Sequence, residues 1–134
     1  MTKLAAFAVV LLAGLTGSAP AGAAAQRGFA FGRLGGNILP FTVSIGNDGS
    51  VKATGPVKVG RTHLTRLQVA NLNRIAATNA FGSLPATTNC AGTLPDAAAT
   101  FVRIGPRTVR VHGACVPRYR RIYDALAKAV KLAY

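Results

Sequence analysis

The clearest structural signal in the chain is FTVSIGNDGSVKATG, residues 41–55. Apolar and polar side chains alternate over residues 41–45 and again over residues 50–55, which is the two-residue period of a half-buried β-strand. The Gly-Asn-Asp-Gly segment between them supplies residues that tolerate positive φ in a tight turn. The stretch therefore predicts a β-hairpin.

An amphipathic helix is predicted shortly after this hairpin. Thr65 and Gln68 stand three residues apart before an apolar run, which is the spacing of a capping box. Leu64 and Val69 flank that box at the two positions of a hydrophobic staple. Further apolar residues follow at helical spacing, and we expect the helix to end at about Thr78.

A second hairpin and a second helix repeat this order. Residues 98–104 and 108–112 alternate around a Gly-Pro-Arg turn, and Pro117 suits the first turn of a helix. Arg120 and Asp124 are spaced for an i,i+4 ion pair. The apolar stripe of this helix is Tyr119, Ile122, Tyr123, Leu126, Val130 and Ala133. A basic amphipathic helix can lie on anionic membranes, but packing onto the predicted sheet is favoured here.

These elements predict an α+β fold, a two-layer ββαββα domain. Its four-stranded, mostly antiparallel sheet would carry both helices on one face. We place the domain at residues 41–134 and interpret residues 26–40 as a Gly-rich, irregular lead-in with at most a short extended stretch.

Residues 1–25 have the three parts of a secretory signal peptide. Lys3 precedes an uninterrupted apolar run, residues 4–15, and small residues allow cleavage after Ala25 or, alternatively, after Ala23. An uncleaved anchor is disfavoured, because about a dozen residues cannot cross roughly 30 Å of hydrocarbon. We expect a secreted or periplasmic protein, with no transmembrane segment in the mature chain.

Cys90 and Cys115 are the only cysteines. In an oxidising compartment such a pair most simply forms one disulfide. The rival interpretation is a catalytic Cys115 activated by His112 and a helix N-terminus. A metal site is disfavoured, because the two cysteines and two histidines lack closely spaced ligand pairs.

Charge is the strongest compositional signal: 16 Lys and Arg stand against three Asp and Glu. Such a balance attracts polyanions and anionic envelope surfaces, although a GC-rich coding bias also loads a chain with arginine. By alternation, the sheet face turned away from the helices should be basic and hydroxyl-rich. That face carries Thr42, Ser44, Lys52, Thr54, Phe101, Arg103, Arg110 and His112.

Catalytic motifs are nearly absent. The three Asp are scattered and the chain has no Glu, which disfavours an acid–base pair. None of the mature chain's serines stands in a Gly-x-Ser-x-Gly setting. We expect no enzymatic activity, no cofactor and no metal.

The segment TNCAGTLPD, residues 88–96, followed by Phe101 and then HGACVP, residues 112–117, resembles a known pattern. It is similar to small exported proteins of GC-rich bacteria that carry a C-x-G-x-x-P-D loop and a late cysteine. The resemblance spans most of residues 41–130 and implies a secreted domain with one disulfide, in a group without an assigned activity. A weaker similarity of layout links the chain to small exported protease inhibitors, without a matching reactive-site motif.

Two functional hypotheses follow. The first is a secreted, non-catalytic interaction module for an acidic partner: an acidic protein, a nucleic acid or a cell-envelope polyanion. Its candidate contacts are Lys52, Arg103, Arg110 and His112, with Phe101 available for stacking. The second is a small protease inhibitor that presents the Cys90–Asp96 loop as a rigid insert. The sequence does not predict an oligomeric state.

Overall fold

The computed structural model describes residues 28–134. The predicted signal peptide, residues 1–25, lies outside the described residues. The strands are β1 (Phe29–Leu34), β2 (Phe41–Ile45), β3 (Val51–Thr54), β4 (Lys58–Val59), β5 (Thr87–Asn89), β6 (Ala99–Ile104), β7 (Arg107–His112) and β8 (Leu132–Ala133). The helices are α1 (Arg66–Thr78) and α2 (Pro117–Val130), with a single 3₁₀ turn at Phe81–Ser83.

The main sheet has six strands in the order β3-β2-β1-β6-β7-β5, and β4 pairs with β8 in a separate two-stranded sheet. Both predicted hairpins are present as the antiparallel pairs β2–β3 and β6–β7. The α+β class and the largely antiparallel pairing are confirmed. The sheet is mixed, however, because β5 runs parallel to β7.

The prediction of four strands was wrong, because it missed β1 and β5 in the main sheet. β1 lies at the centre, between β2 and β6, inside the stretch predicted as an irregular lead-in. Its first four residues, Phe29 to Gly32, are all buried. A strand buried on both faces does not alternate, so the pattern that revealed β2 is missing from β1. β5 is three polar residues long and has no apolar pattern either.

One hydrophobic core joins both helices to one face of the sheet, which we call the inner face. Phe31, Val43, Val102 and Val109 are cross-strand neighbours on that face and are almost completely buried. The same core contains buried residues of α1, such as Val69 and Leu72, and of α2, such as Ile122 and Leu126. The apolar stripe of α2 is thus engaged in packing, as predicted, apart from Ala133.

The local signals predicted for α1 are confirmed. The Gln68 amide donates to Thr65 Oγ1 at 3.2 Å, and the Thr65 amide donates to Gln68 Oε1 at 2.9 Å. The staple residues Leu64 and Val69 both belong to the core. The helix ends at Thr78, with Asn79 as its C-cap.

The end of α2 differs from the prediction. Lys131 adopts a left-handed conformation with φ 52°, which stops the helix after Val130. Ala133, predicted on the helical stripe, lies instead in β8, opposite Lys58. The small β4–β8 sheet therefore ties this end of α2 to the segment before α1.

The predicted disulfide is present. Cys90 and Cys115 are bonded, with their Cα atoms 5.6 Å apart. Cys90 directly follows β5, and its amide donates to the carbonyl of His112 at 2.8 Å. The cross-link therefore fastens the edge strand of the main sheet to the start of α2, and it is consistent with an oxidising compartment outside the cytoplasm.

Candidate functional site

The sheet face opposite the helices, here called the outer face, carries the basic residues predicted for it. Strand register puts Lys52 opposite Ser44, Ser44 opposite Ala30, and Ala30 opposite Arg103. Residues directly opposite one another in paired strands share a face. Lys52 and Arg103 therefore lie in one row across the sheet, about 14 Å apart at the usual strand spacing.

Arg103 and Arg110 are neighbours on this face. Arg103 stands opposite Thr108 and Phe101 opposite Arg110, which makes the two arginines diagonal neighbours on β6 and β7. Diagonal positions are about 7–8 Å apart, within reach of two long side chains. Both arginines are exposed, and neither guanidinium forms a hydrogen bond or ion pair with any residue from 28 to 134.

No strand position on the outer face carries a carboxylate. Asp48 lies in the β2–β3 turn, Asp96 in the loop before β6, and Asp124 on α2. Within the part of the chain that the structure describes, the single ion pair joins Arg120 to Asp124 at 3.2 Å. Hydrogen bonds from the hydroxyl and amide of Ser50 lower the pKa of Asp48, so this carboxylate stays ionised within its turn. The outer face is accordingly cationic and uncompensated.

His112 lies on the outer face as expected, but it already has a partner. Its Nε2 is 2.6 Å from the carbonyl oxygen of Ala97, and the side chain is half-buried. The imidazole thus fastens the loop after Cys90 to the end of β7. This contact assigns His112 a positioning role for that loop, while its role as a contact for an acidic partner stays a prediction.

Phe101 also lies on the outer face, but it is not free to stack on a ligand. Only 9% of its surface is exposed. Its ring lies over Gly32 in β1, where a Cβ atom would come within 3.1 Å of Phe101 Cε1. The ring therefore covers the centre of the outer face instead of projecting from it.

The Cys90–Asp96 loop stands beside the loop between β1 and β2. The Asn37 amide donates to the Asp96 carbonyl at 3.0 Å, and the Ala97 amide donates to the Leu94 carbonyl at 3.1 Å. Leu94 is 69% exposed, and Leu39 in the neighbouring loop is equally exposed. Sequence patterning did not reveal this pairing, because only the fold brings the two loops together.

Residues 28–134 contain neither a metal-binding cluster nor a free thiol. That range contains no group of three or more His, Cys, Asp or Glu side chains placed to hold a metal ion. The thiol that a catalytic Cys115 would need is absent, because Cys115 is bonded to Cys90. Neither helix of the described range is long and apolar enough to cross a membrane.

A site that the sequence did not predict lies on the inner face. A cavity of about 630 Å³ runs between α2 and the sheet, and Arg33, Tyr119, Tyr123 and Lys128 are among its lining residues. Helical spacing predicted both tyrosines to be core residues. This prediction is confirmed, because both are buried. The sequence pattern did not mark Arg33 as a binding residue, because Arg33 lies in the stretch that was predicted to be irregular.

Comparison with known proteins gives no relative: no protein-family model, curated protein or solved structure matches the chain.

Proposed function

We propose that this protein is a secreted, non-catalytic binding module whose outer face takes an acidic partner, either a polyanion or an acidic protein surface. One observation carries the proposal. Arg103 and Arg110 are exposed diagonal neighbours, without an acidic partner in the described range, on a face whose strands hold no carboxylate. Lys52 extends this basic surface to the far side of the sheet.

Arginine suits this role for chemical reasons. Its planar guanidinium presents donors in a fork that matches two oxygens of a carboxylate, sulfate or phosphate. Hydroxyls of Ser44, Thr108 and Thr42 lie on the same face and can donate to further anionic oxygens. Binding to a polyanion would release its counterions, so affinity should fall steeply as salt rises.

Heparin chromatography tests this proposal with two variants of equal charge. Arg103→Ala/Arg110→Ala removes the pair on the outer face, while Arg66→Ala/Arg74→Ala removes two exposed arginines of α1. We expect the first variant to elute at clearly lower salt than wild type, and the second to elute close to wild type. Each lost phosphate-like contact should lower the salt-dependence slope by about one.

The matched pair separates a local site from a general charge effect. If both variants elute together, retention reflects net charge alone and the outer face is not the binding surface. Far-UV and near-UV circular dichroism of both variants checks that the comparison is made between folded proteins.

A second candidate function is protease inhibition by the Cys90–Asp96 loop. It is favoured by an exposed leucine on a loop that is held at both ends, by the disulfide at Cys90 and by the Asp96 carbonyl bonded to Asn37. A rigid loop loses little conformational entropy when it enters a protease cleft. The adjoining Ile38 and Leu39 would widen the contact.

Leucine substitutions test the inhibitor hypothesis. Excess protein is assayed against a panel of secreted serine and metalloproteases, followed by Leu94→Ala and the control Leu67→Ala, which alters an equally exposed leucine on α1. Inhibition of at least one protease, weakened tenfold or more only by Leu94→Ala, is expected. A panel that stays fully active removes the hypothesis and leaves the polyanion test untouched.

A further inference from the structure

The cavity on the inner face, here called the α2 groove, is a continuous channel across three strands. Arg33 stands opposite Thr100, and Thr100 stands opposite Val111, so one residue each from β1, β6 and β7 forms its floor. One long side of α2 forms its wall, from Val116 to Lys131. The groove starts beside the disulfide and ends beneath the C-terminal end of the helix.

The half of the groove near the disulfide is apolar apart from Arg120, which is paired with Asp124. Val111, Val116 and the ring of Tyr119 line it. The Tyr119 hydroxyl is already satisfied, because it donates to Thr100 Oγ1 at 2.9 Å. The accessible apolar surface of this half comes from Ala114 and Val116, because Tyr119 and Val111 are almost completely buried.

The other half is cationic. Arg33, Lys128 and Lys131 line it, and Arg33 is half-buried with its guanidinium carbon 5.3 Å from the Phe41 ring centroid and 5.1 Å from that of Tyr134. Stacking on two rings fixes the guanidinium without using its N–H donors. The Arg33 guanidinium has no acidic partner and no hydrogen bond among residues 28–134.

Among the described residues that line the groove, the single side-chain carboxylate is neutralised locally. Asp124 accepts from Arg120 Nε at 3.2 and 3.3 Å. The negative end of the α2 dipole also points this way, but its last carbonyls already have donors. The amides of Gly60 and Arg61 both donate to the Val130 carbonyl, at 3.0 and 3.1 Å. The groove thus keeps an uncompensated positive charge at one end.

We propose that the α2 groove binds a small amphipathic anion. Its acidic group would lie on the Arg33 guanidinium beside Lys128 and Lys131, and its apolar body would extend along the half-exposed Ala127 and Val116 toward the disulfide. The volume of about 630 Å³ falls within the range of pockets that hold small organic ligands. This site is independent of the proposed function, because it lies on the opposite face of the sheet from Arg103 and Arg110.

Fluorescence titration with 8-anilinonaphthalene-1-sulfonate, an aromatic anion, tests the proposal. Saturable binding at one site is expected, with displacement by dodecanoate and not by the neutral dodecanol. Arg33→Gln/Lys128→Gln should weaken binding tenfold or more. The matched variant Arg66→Gln/Arg74→Gln, with the same loss of charge at exposed positions of α1, should bind within twofold of wild type.

A steric variant keeps the test decisive if loss of Arg33 impairs folding. Ala127→Phe places a ring in the groove without changing charge, and Ala70→Phe adds the same ring at an exposed position of α1. Only the first should abolish binding of the probe. The proposal is overturned if the probe does not bind, if dodecanol displaces it as well as dodecanoate does, or if Ala127→Phe binds it as wild type does.

Discussion

At the scale of single residues, the basic side chains of the outer face were predictable because strand alternation alone fixes which face they share. Lys52, Arg103 and Arg110 lie where the pattern put them. The roles of His112 and Phe101 were not predictable in this way. The first is set by the Ala97 carbonyl and the second by Gly32, and both neighbours are distant in sequence.

Gly32 shows why a glycine-rich segment forms the central strand. A Cβ atom at this position would run into the backbone carbonyl of Phe41 on β2 and would come within 3.1 Å of the Phe101 ring. Glycine in a strand interior often marks such a close approach. Glycine in this segment suggested an irregular structure. At Gly32, however, glycine is needed because β2 and the Phe101 ring pack too closely to leave room for a side chain.

We therefore expect Gly32→Ala to lower the free energy of unfolding by about 1–3 kcal/mol through overpacking. Gly82→Ala is the control, because a Cβ at Gly82 meets nothing within 4 Å, and a surface change of this kind stays within about 0.5 kcal/mol. Urea unfolding of both variants gives the comparison. Equal stability of Gly32→Ala and wild type would contradict the close approach around Gly32.

Tyr119 predicts how stability depends on alkaline pH. Burial raises the pKa of this phenol from 10.0 to about 12. The unfolded chain releases the proton first, so the stabilisation is complete below pH 10 and is lost as the pH rises from about 10 through about 12. Burial likewise raises the pKa of Tyr123, which adds to the same loss.

Urea unfolding at about pH 8.5 and about pH 11 measures this linkage. The Tyr119→Phe variant should lose less stability between the two pH values than wild type does, because one of the two raised phenols is gone. It should also be less stable at the lower pH by about 0.5–1.5 kcal/mol, since the hydrogen bond to Thr100 is lost. An identical alkaline loss in both proteins would contradict the role of Tyr119.

At the scale of elements, the sequence predicts the helices and hairpins that are stabilised by contacts between residues close together in the chain. The capping box of α1 and the turn of β2–β3 are encoded by neighbouring residues, and both are present. β1 and β5 depend on partners elsewhere in the chain, namely β2 and β6 for the first and β7 for the second. The α2 groove was missed for the same reason, because its floor includes Arg33 of β1.

The disulfide is expected to hold the least stable element of the main sheet. β5 is an edge strand with three residue pairs to β7, and Cys90 follows it directly. For the sequence separation of 25 residues between the cysteines, chain entropy predicts a stabilisation of about 3.5 kcal/mol. Cys90→Ala/Cys115→Ala should lower the free energy of unfolding by about that amount.

Hydrogen exchange locates the effect of this double variant. The amides of Cys90 and Arg110, which bridge β5 and β7, should lose protection relative to the central strands β1 and β6. A variant with unchanged stability, or with protection lost uniformly over the sheet, would contradict a local fastening of β5 by the disulfide.

At the scale of the whole molecule, one sheet separates two cationic surfaces of different chemistry. The outer face is open and hydroxyl-rich, and we propose that its exposed arginines bind an extended acidic partner. Helices cover the inner face, and the α2 groove between α2 and the sheet combines the cationic Arg33 with apolar lining residues. The outer face carries Lys52, Arg103 and Arg110, and Arg33, Lys128 and Lys131 line the groove. Variants of equal charge can therefore address the two surfaces separately.

The most direct measurement is a titration of the ¹⁵N-labelled protein with a heparin oligosaccharide, followed in ¹H–¹⁵N correlation spectra. The account predicts saturable, salt-sensitive shifts at the amides and guanidinium groups of Arg103 and Arg110 and along the row to Lys52, with α1 unaffected. Shifts confined to α1 or α2, or spread evenly over all basic residues, would contradict an acidic partner on the outer face.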